Sequence, residues 1–345
     1  QHFLVDLNIA RKICDALSGG VRPEAGAETR AVAAGSADAD AETRTRVAGY
    51  AGAGAEARTM AAGSADAGAE ARTKATGTAD ADAETRRGVA ASADARLAAD
   101  TTAAGAPAAA EEERSGAVPC DVLEVGCGMG VLTQFLLRRG DITTYGAEID
   151  PESVEYLHAH FPEFAPRLIE GDFLKMNLRE RFPRGLKIIG NFPYNISSQI
   201  FFKVLEHRDL VPECVGMIQK EVAVRIAEPP GSKEYGILSV LLQAWYDIEY
   251  LFTVNETVFN PPPKVKSAVI RLRRNSVGRL GCDEALFVKV VKASFGQRRK
   301  MIRNSLRAVF GDFGGAEHPF FTQRAEQLSV ADFVQLTDWV AANRK

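Results

Sequence analysis

The sequence predicts an α/β fold: a Rossmann-like sheet with a small C-terminal helical domain and a long low-complexity insertion near the start. Three observations carry this. Short apolar runs end, one after another, in a glycine turn, a carboxylate or an amide, as strands do when their C-terminal ends converge on a ligand edge. A block of alanine-rich repeats at 21–117 holds almost nothing that can be buried. The last third is basic, with apolar residues at helical spacing.

The opening piece, QHFLVDLNIARKICDALS, places Ile9, Ile13 and Leu17 on one helical face, so residues 1–20 are read as a motif and helix of the catalytic domain. The first residue is Gln rather than Met, and residues are expected to be missing before it. Next, AETR or AEAR recurs at 27, 41, 55, 69 and 83, a period of 14. Residues 21–118 contain 11 Lys/Arg against 16 Asp/Glu, with a single aromatic (Tyr50) and a single Leu (Leu97). Such a composition does not offset the entropy of ordering, so the segment is read as disordered. A repeat expansion tolerated in a surface loop explains it better than a partner-binding spacer does.

Past the insertion, Val122–Val125 is an apolar strand, and Gly126-Cys127-Gly128-Met129-Gly130 turns the chain into a helix over Val131–Arg139. A dinucleotide fingerprint needs glycine at 131, where this chain has Val131. The G-x-G-x-G spacing, preceded by Glu124, instead fits S-adenosylmethionine enzymes, whose cofactor has no pyrophosphate to seat. The next strand, Ile142–Ile149, ends in Glu148, a carboxylate placed to accept from both ribose hydroxyls. Asp150 competes for that role, but before Pro151 it is better explained as a helix N-cap. A third strand, Leu168–Glu170, leads to Asp172, a candidate acceptor for the adenine amine, with Phe173 beside the ring.

The fourth strand, Leu186–Gly190, delivers Asn191-Phe192-Pro193-Tyr194 to the same edge. An aromatic amine is a poor nucleophile because its lone pair is delocalised into the ring. Two acceptors aimed at its hydrogens, the Asn191 side-chain oxygen and the Pro193 carbonyl, favour the pyramidal form that attacks. Tyr194 offers a face on which an extruded base stacks. These three are the candidate catalytic residues.

The formal net charge of −3 hides an asymmetry: residues 259–307 hold 13 Lys/Arg against two acids, which favours a polyanionic partner. In FNPPPKVKSAVIRLRR, an exposed Pro run forms a stiff loop near the sheet edge, presents Lys264 and Lys266, and leads into a strand over Ser267–Arg273. A helical segment over Asp283–Ala308 carries QRRKMIRNSLR. Arg298, Arg299, Lys300 and Arg303, with Arg307, lie on or near one face with no acid between Glu284 and Arg307, and are read as phosphate contacts. A last helical stretch, 319–340, completes a domain over 276–345, beside the sheet domain at 118–275. Five irregularly spaced cysteines suggest reduced thiols rather than a disulfide framework or metal site. No run reaches the roughly 18 apolar residues that span a bilayer, and no signal peptide opens the chain. A cytoplasmic, monomeric protein without membrane or metal is therefore expected.

The stretches QHFLVD, LEVGCGMGVLT, AEID, EGDFL, GNFPYNISS, FNPPPKVKSAVIRL and FGQRRKMIRNSL together resemble the small-subunit ribosomal RNA adenine dimethyltransferases, over residues 1–18 and about 118–310. The resemblance implies S-adenosyl-L-methionine as cofactor, lined by His2, Leu4, Gly126, Glu148, Asp172 and Asn191. The family usually has Asn where this chain has His2. It also implies that Phe259 packs on the target base, with a core contact the alternative the residues themselves leave open, and that the substrate is two adjacent adenines in the 3′-terminal hairpin of small-subunit RNA in an immature 30S particle. The alternatives are a large-subunit macrolide-resistance enzyme, a catalytically inactive RNA-binding assembly or transcription factor, and a DNA adenine methyltransferase. The extended Pro-Lys and QRRK stretches favour the small-subunit type.

Overall fold

The computed structural model describes residues 3–19, 119–297 and 299–344. His2, Arg298 and the repeat insertion lie outside the described residues. In chain order the described elements are β1 (Phe3–Leu4), α1 (Leu7–Ala16), β2 (Cys120–Val125), α2 (Thr133–Leu136), β3 (Ile142–Glu148), α3 (Pro151–His160), β4 (Leu168–Glu170), α4 (Leu178–Arg181), β5 (Lys187–Asn191), α5 (Ser197–Glu206), β6 (Glu213–Gln219), α6 (Lys220–Ala227), α7 (Ile237–Gln243), β7 (Tyr246–Val254), β8 (Phe259–Asn260), β9 (Ser267–Arg274), α8 (Glu284–Gly296), α9 (Ile302–Phe310) and α10 (Val330–Asn343).

A seven-stranded sheet runs β4-β3-β2-β5-β6-β9-β7. The first five strands pair in parallel, and β9 joins β6 and β7 antiparallel. Strands β2 and β5 are almost wholly buried, as parallel strands covered on both faces must be, and their buried charges (Asp121, Glu124, Lys187) lie among apolar neighbours. Parallel pairing sends the ends of β2, β3, β4 and β5 to one edge, so residues far apart in sequence share a cleft. The Asp150 expectation holds in the geometry: its Oδ2 accepts from the Ser153 N–H (3.2 Å) and hydroxyl (2.7 Å), with Pro151 as first helical residue.

The Pro run is irregular over 261–266, while Phe259 and Asn260 just before it pair with Leu4 and Phe3 in a separate two-stranded ribbon. Two expectations need correcting. The stretch Val131–Arg139 is helical only over Thr133–Leu136, with turns on either side. The segment Asp283–Ala308 is two helices rather than one. Helix α8 stops at Gly296, the Lys300 N–H donates to the Gln297 carbonyl (2.7 Å), and Met301 starts α9 in an extended conformation. The break turns Ile302 and Leu306 inward to full burial, which a straight helix would forgo. The apolar core is continuous from the sheet into these C-terminal helices, through edge-to-face packing of Trp245 on Phe287 (centroids 6.0 Å).

At the edge opposite the cleft, the end of α1 is tied down by three cations. The Arg139 Nη1 donates to the carbonyls of Cys14 (3.1 Å) and Leu17 (3.0 Å), and Arg271 Nη1 to that of Ala16 (3.0 Å). Lys187 Nζ donates to the carbonyls of Ser18 (2.9 Å) and Gly19 (3.1 Å), and is itself paired with buried Glu213 at 3.0 Å. Glu213 also accepts from the Ser18 N–H (3.1 Å) and hydroxyl. These contacts satisfy helix-end carbonyls that have no intrahelical partner. A Cβ on Gly19 would lie 3.6 Å from Asp141, while Cys120, where the chain resumes, pairs with Ile142 next door.

The two ends of the insertion are therefore adjacent and independently anchored. Replacing 22–117 by a short Gly/Ser bridge is expected to hold or raise the thermal midpoint, since each halving of a flexible loop is worth about 0.6 kcal/mol. Methyl transfer is expected to persist. A fall in the midpoint, measured by calorimetry, would show that the segment contributes to the core.

Candidate active site

Each strand end adds one piece to a cleft of about 520 Å³. After β2, Gly126, Gly128 and Gly130 all take positive φ (77°, 53° and 76°), a region closed to most side chains. The turn is fastened by Gly126 N–H donating to the Ala147 carbonyl (2.9 Å) and Gly128 N–H donating to Glu148 Oε2 (2.8 Å). Glu148 Oε1 accepts from the N–H groups of Ile149 and Asp150, both at 2.9 Å. The predicted ribose acid thus also ties the glycine turn to the end of β3. Asp172, after β4, caps the following 3₁₀ turn through the Leu174 N–H (2.9 Å), and Phe173 lines the cleft as expected.

The end of β5 depends on absent side chains. The Phe192 ring is buried, and it lies against Gly190 of β5 and Gly216 of β6, where added Cβ atoms would meet it at 2.9 Å and 2.5 Å. Phe201 closes the slot edge-to-face at 5.8 Å, and the Phe192 N–H donates to the Met217 carbonyl (3.0 Å). With Phe192 held below, its neighbours Asn191, Pro193 and Tyr194 line the cleft. The Pro193 carbonyl accepts one hydrogen bond, from the Ile196 N–H (3.1 Å), and keeps a second lone pair. The Tyr194 hydroxyl is 2.7 Å from the Oγ of fully buried Ser267, at the start of β9.

The ribbon of β1 and β8 covers the cleft from the other side. Leu4 pairs with Phe259, both are buried, and both line the cleft, so Phe259 is a core residue and a wall of the site at once. Ile149 (66% exposed) and Met129 (38%) leave apolar surface open at the rim.

Among the described residues, the lining includes Glu124, Glu148 and Asp172 and neither Lys nor Arg. Such a site repels a pyrophosphate and favours a ligand bearing positive charge. Glu124 is the exception in charge: buried under the glycine turn and accepting from the Thr133 hydroxyl at 2.6 Å, it has its pKa pushed up to about 8 by desolvation and by Glu148, which leaves the negative charge to Glu148 and Asp172.

The basic surface divides in two. Lys264 and Lys266 are exposed beside Ser267, whereas Arg299 and Lys300 are exposed on the turn between α8 and α9. Arg303 is not a free cation as the sequence suggested: it pairs with Glu317 and lies over the Phe321 ring, and Arg307 pairs with Asp312 at 3.2 Å. The acids come from beyond the helix, where no local reading would look for them. Ser267 and Ile149 also escaped the sequence reading. Gly146, Gly190 and Gly216, glycines inside buried strands, also mark close approaches.

Two outcomes follow from this geometry. Since the folded pKa of Glu124 exceeds its unfolded value near 4.5, wild-type stability should erode as pH rises from about 4.5 to 8. Glu124→Gln keeps an acceptor for Thr133 and removes the charge, so its midpoint should gain on the wild type across that window. Thermal melts at pH 5 and pH 8 showing a constant difference would refute the buried-acid account. Gly216→Ala should force the Phe192 ring from its slot, costing about 1–3 kcal/mol by overpacking and lowering methyl transfer; denaturant titration and a methylation assay check both.

The family model for ribosomal RNA adenine dimethylase matches residues 119–342. The chain is 61% identical over 218 residues to the ribosomal RNA small subunit methyltransferase A of Parabacteroides distasonis, covering 63% of this chain and 81% of that one. It is 59% identical over 221 residues to the protein of the same name in Bacteroides thetaiotaomicron, covering 64% and 82%. Among solved structures, a dimethyladenosine transferase from Plasmodium falciparum superposes with a TM-score of 0.55 at 25% identity, over 65% of this chain and 90% of that one. With the glycine turn, the acidic strand ends and the Asn-Phe-Pro-Tyr motif meeting in one cleft, the chain belongs to the ribosomal RNA adenine dimethylase family.

Proposed function

We propose that the protein transfers methyl groups from S-adenosylmethionine to the N6 atoms of two adjacent adenines in the 3′-terminal hairpin of small-subunit ribosomal RNA. It acts as a cytoplasmic monomer on an immature 30S particle, and no described helix is long and apolar enough to cross a membrane. The observation that carries the reading is the placement of Asn191, Pro193 and a tethered Tyr194 in the cleft that the Gly126–Gly130 turn opens.

The donor set suits the cofactor. Glu148 holds the ribose hydroxyls, Asp172 accepts from the adenine amine, and Ile149 and Met129 cover the purine. Leu4, Gly126 and Asn191 line the remainder, and the cluster of carboxylates matches a cationic ligand. When bound, the cofactor supplies an electrophilic methyl group on a sulfonium. The protein's part is to present the nucleophile. Tyr194 stacks on the extruded base, its plane set by Ser267, and Phe259 walls the opposite side. Asn191 Oδ1 and the free lone pair of the Pro193 carbonyl accept from the two amine hydrogens, drawing the nitrogen towards the pyramidal form as its bond to carbon forms. The amine then carries a proton in excess, which passes to water.

Incubation with labelled cofactor and either immature 30S particles or protein-free 23S RNA, followed by mapping of modified bases, tests the assignment. Label at two adjacent adenines of the small-subunit hairpin is expected; label on 23S RNA alone would transfer the protein to the large-subunit class. Within the site, Asn191→Ala should reduce the methylation rate far more than RNA affinity, after correction for any loss of cofactor binding. Tyr194→Ala should forfeit about 1–3 kcal/mol of base stacking. Tyr194→Phe keeps the ring and loses the bond to Ser267, so it should fall between wild type and Tyr194→Ala. Equal inactivity of Tyr194→Phe and Tyr194→Ala would assign the hydroxyl a chemical role instead.

A further inference from the structure

The register of β6 with β9 ends with Gln219 opposite Ser267. One residue further on, at the start of α6, the Lys220 N–H donates to the Lys266 carbonyl at 2.9 Å, so the two lysines are joined through their backbones. Like charges gathered in this way repel. Both lysines are exposed, and Lys264 is exposed two residues away. Among the described residues no carboxylate lies within 4.0 Å of any of the three ammonium groups, and the adjacent acid, Glu221, is taken by Arg225 at 2.8 Å. The fold therefore concentrates uncompensated positive charge at one point. That point adjoins Ser267, which holds the Tyr194 hydroxyl at 2.7 Å.

We infer that Lys220 and Lys266, with Lys264 beside them, form a phosphate clamp gripping the RNA backbone that flanks the extruded adenosine. The inference rests on the reading of the cleft as an RNA adenine methyltransferase site. A nucleotide seated on Tyr194 carries its own phosphates to the mouth of the cleft. The cleft lining has acids and no Lys or Arg among the described residues, so those phosphates must be neutralised outside it. An anion bound among these exposed lysines offsets the repulsion of their clustered charge. The clamp is separate from the exposed Arg299–Lys300 turn between α8 and α9, so the substrate is held at its reacting nucleotide as well as by the helical part.

The test uses a short single-stranded RNA with two adjacent adenines and the full-length protein as parent, as Lys220→Gln and Lys266→Gln singly and together, and as Lys→Arg at each position. Binding is followed by anisotropy across a salt series, alongside thermal melts without RNA and calorimetry with S-adenosylmethionine. Each Gln substitution should lower the log–log salt slope by about 0.7, while the Arg variants keep the parental slope. At low salt the Gln variants should melt at or above the parent, because repulsion is relieved, and cofactor affinity should not move. A double Gln variant with the parental slope overturns the clamp. A midpoint that falls together with RNA affinity also overturns it, since the lysines would then be structural. Failure of the parent to methylate small-subunit RNA would instead sink the underlying functional reading, which the base-mapping experiment reports independently.

Discussion

The active edge depends on a ring that fits only because two side chains are missing. Gly190 and Gly216 sit on adjacent strands and leave a slot one aromatic ring deep. Phe192 fills it, and the loop after β5 is set at a fixed height above the sheet. Backbone alternation then does the rest. With Phe192 pointing into the core, Asn191 and Pro193 are left at the ligand edge, and Tyr194 comes within reach of Ser267. The four-residue motif is mechanically one buried anchor with three residues lining the cleft around it.

Charge is partitioned around that anchor. Inside the cleft lie carboxylates, one of them so poorly solvated that it holds its proton to about pH 8. At the rim and on the turn between α8 and α9 lie lysines and an arginine without acids near them. The two substrates of a methyl-transfer reaction of this family carry opposite charge, one a sulfonium and the other a polyphosphate chain. Separating the signs by depth lets each approach from its own side with little competition. It also fits a chain of net charge −3 facing RNA: 16 of its 45 acids lie in 21–118, and residues 259–307 hold only two.

The meeting of the cleft residues was legible in the sequence because strand ends are marked locally. Glu148, Asp172 and Asn191 each follow a short apolar run, and parallel pairing leaves them no choice but to meet. What escaped reading was non-local. The break after Gly296 follows from burying Ile302 and Leu306 against elements much later in the chain. Arg303 looked free because its partner, Glu317, lies 14 residues on. Ser267 carries no mark at all, since its role exists only once β9 is inserted between β6 and β7. The Pro-rich loop was half read: its stiffness was visible, but its pairing partner sits at the other end of the chain.

The tie-down at the base of the sheet has a consequence for how load reaches the cleft. Ser18 and Gly19 are moored to Lys187 and Glu213, and Cys120 is moored by β3, so tension or drag on whatever joins them is grounded there. Whatever strain the joining segment transmits therefore meets ion pairs and a β-ladder at the base of the sheet, on the far side of the strands from Asn191, before it can reach the cleft.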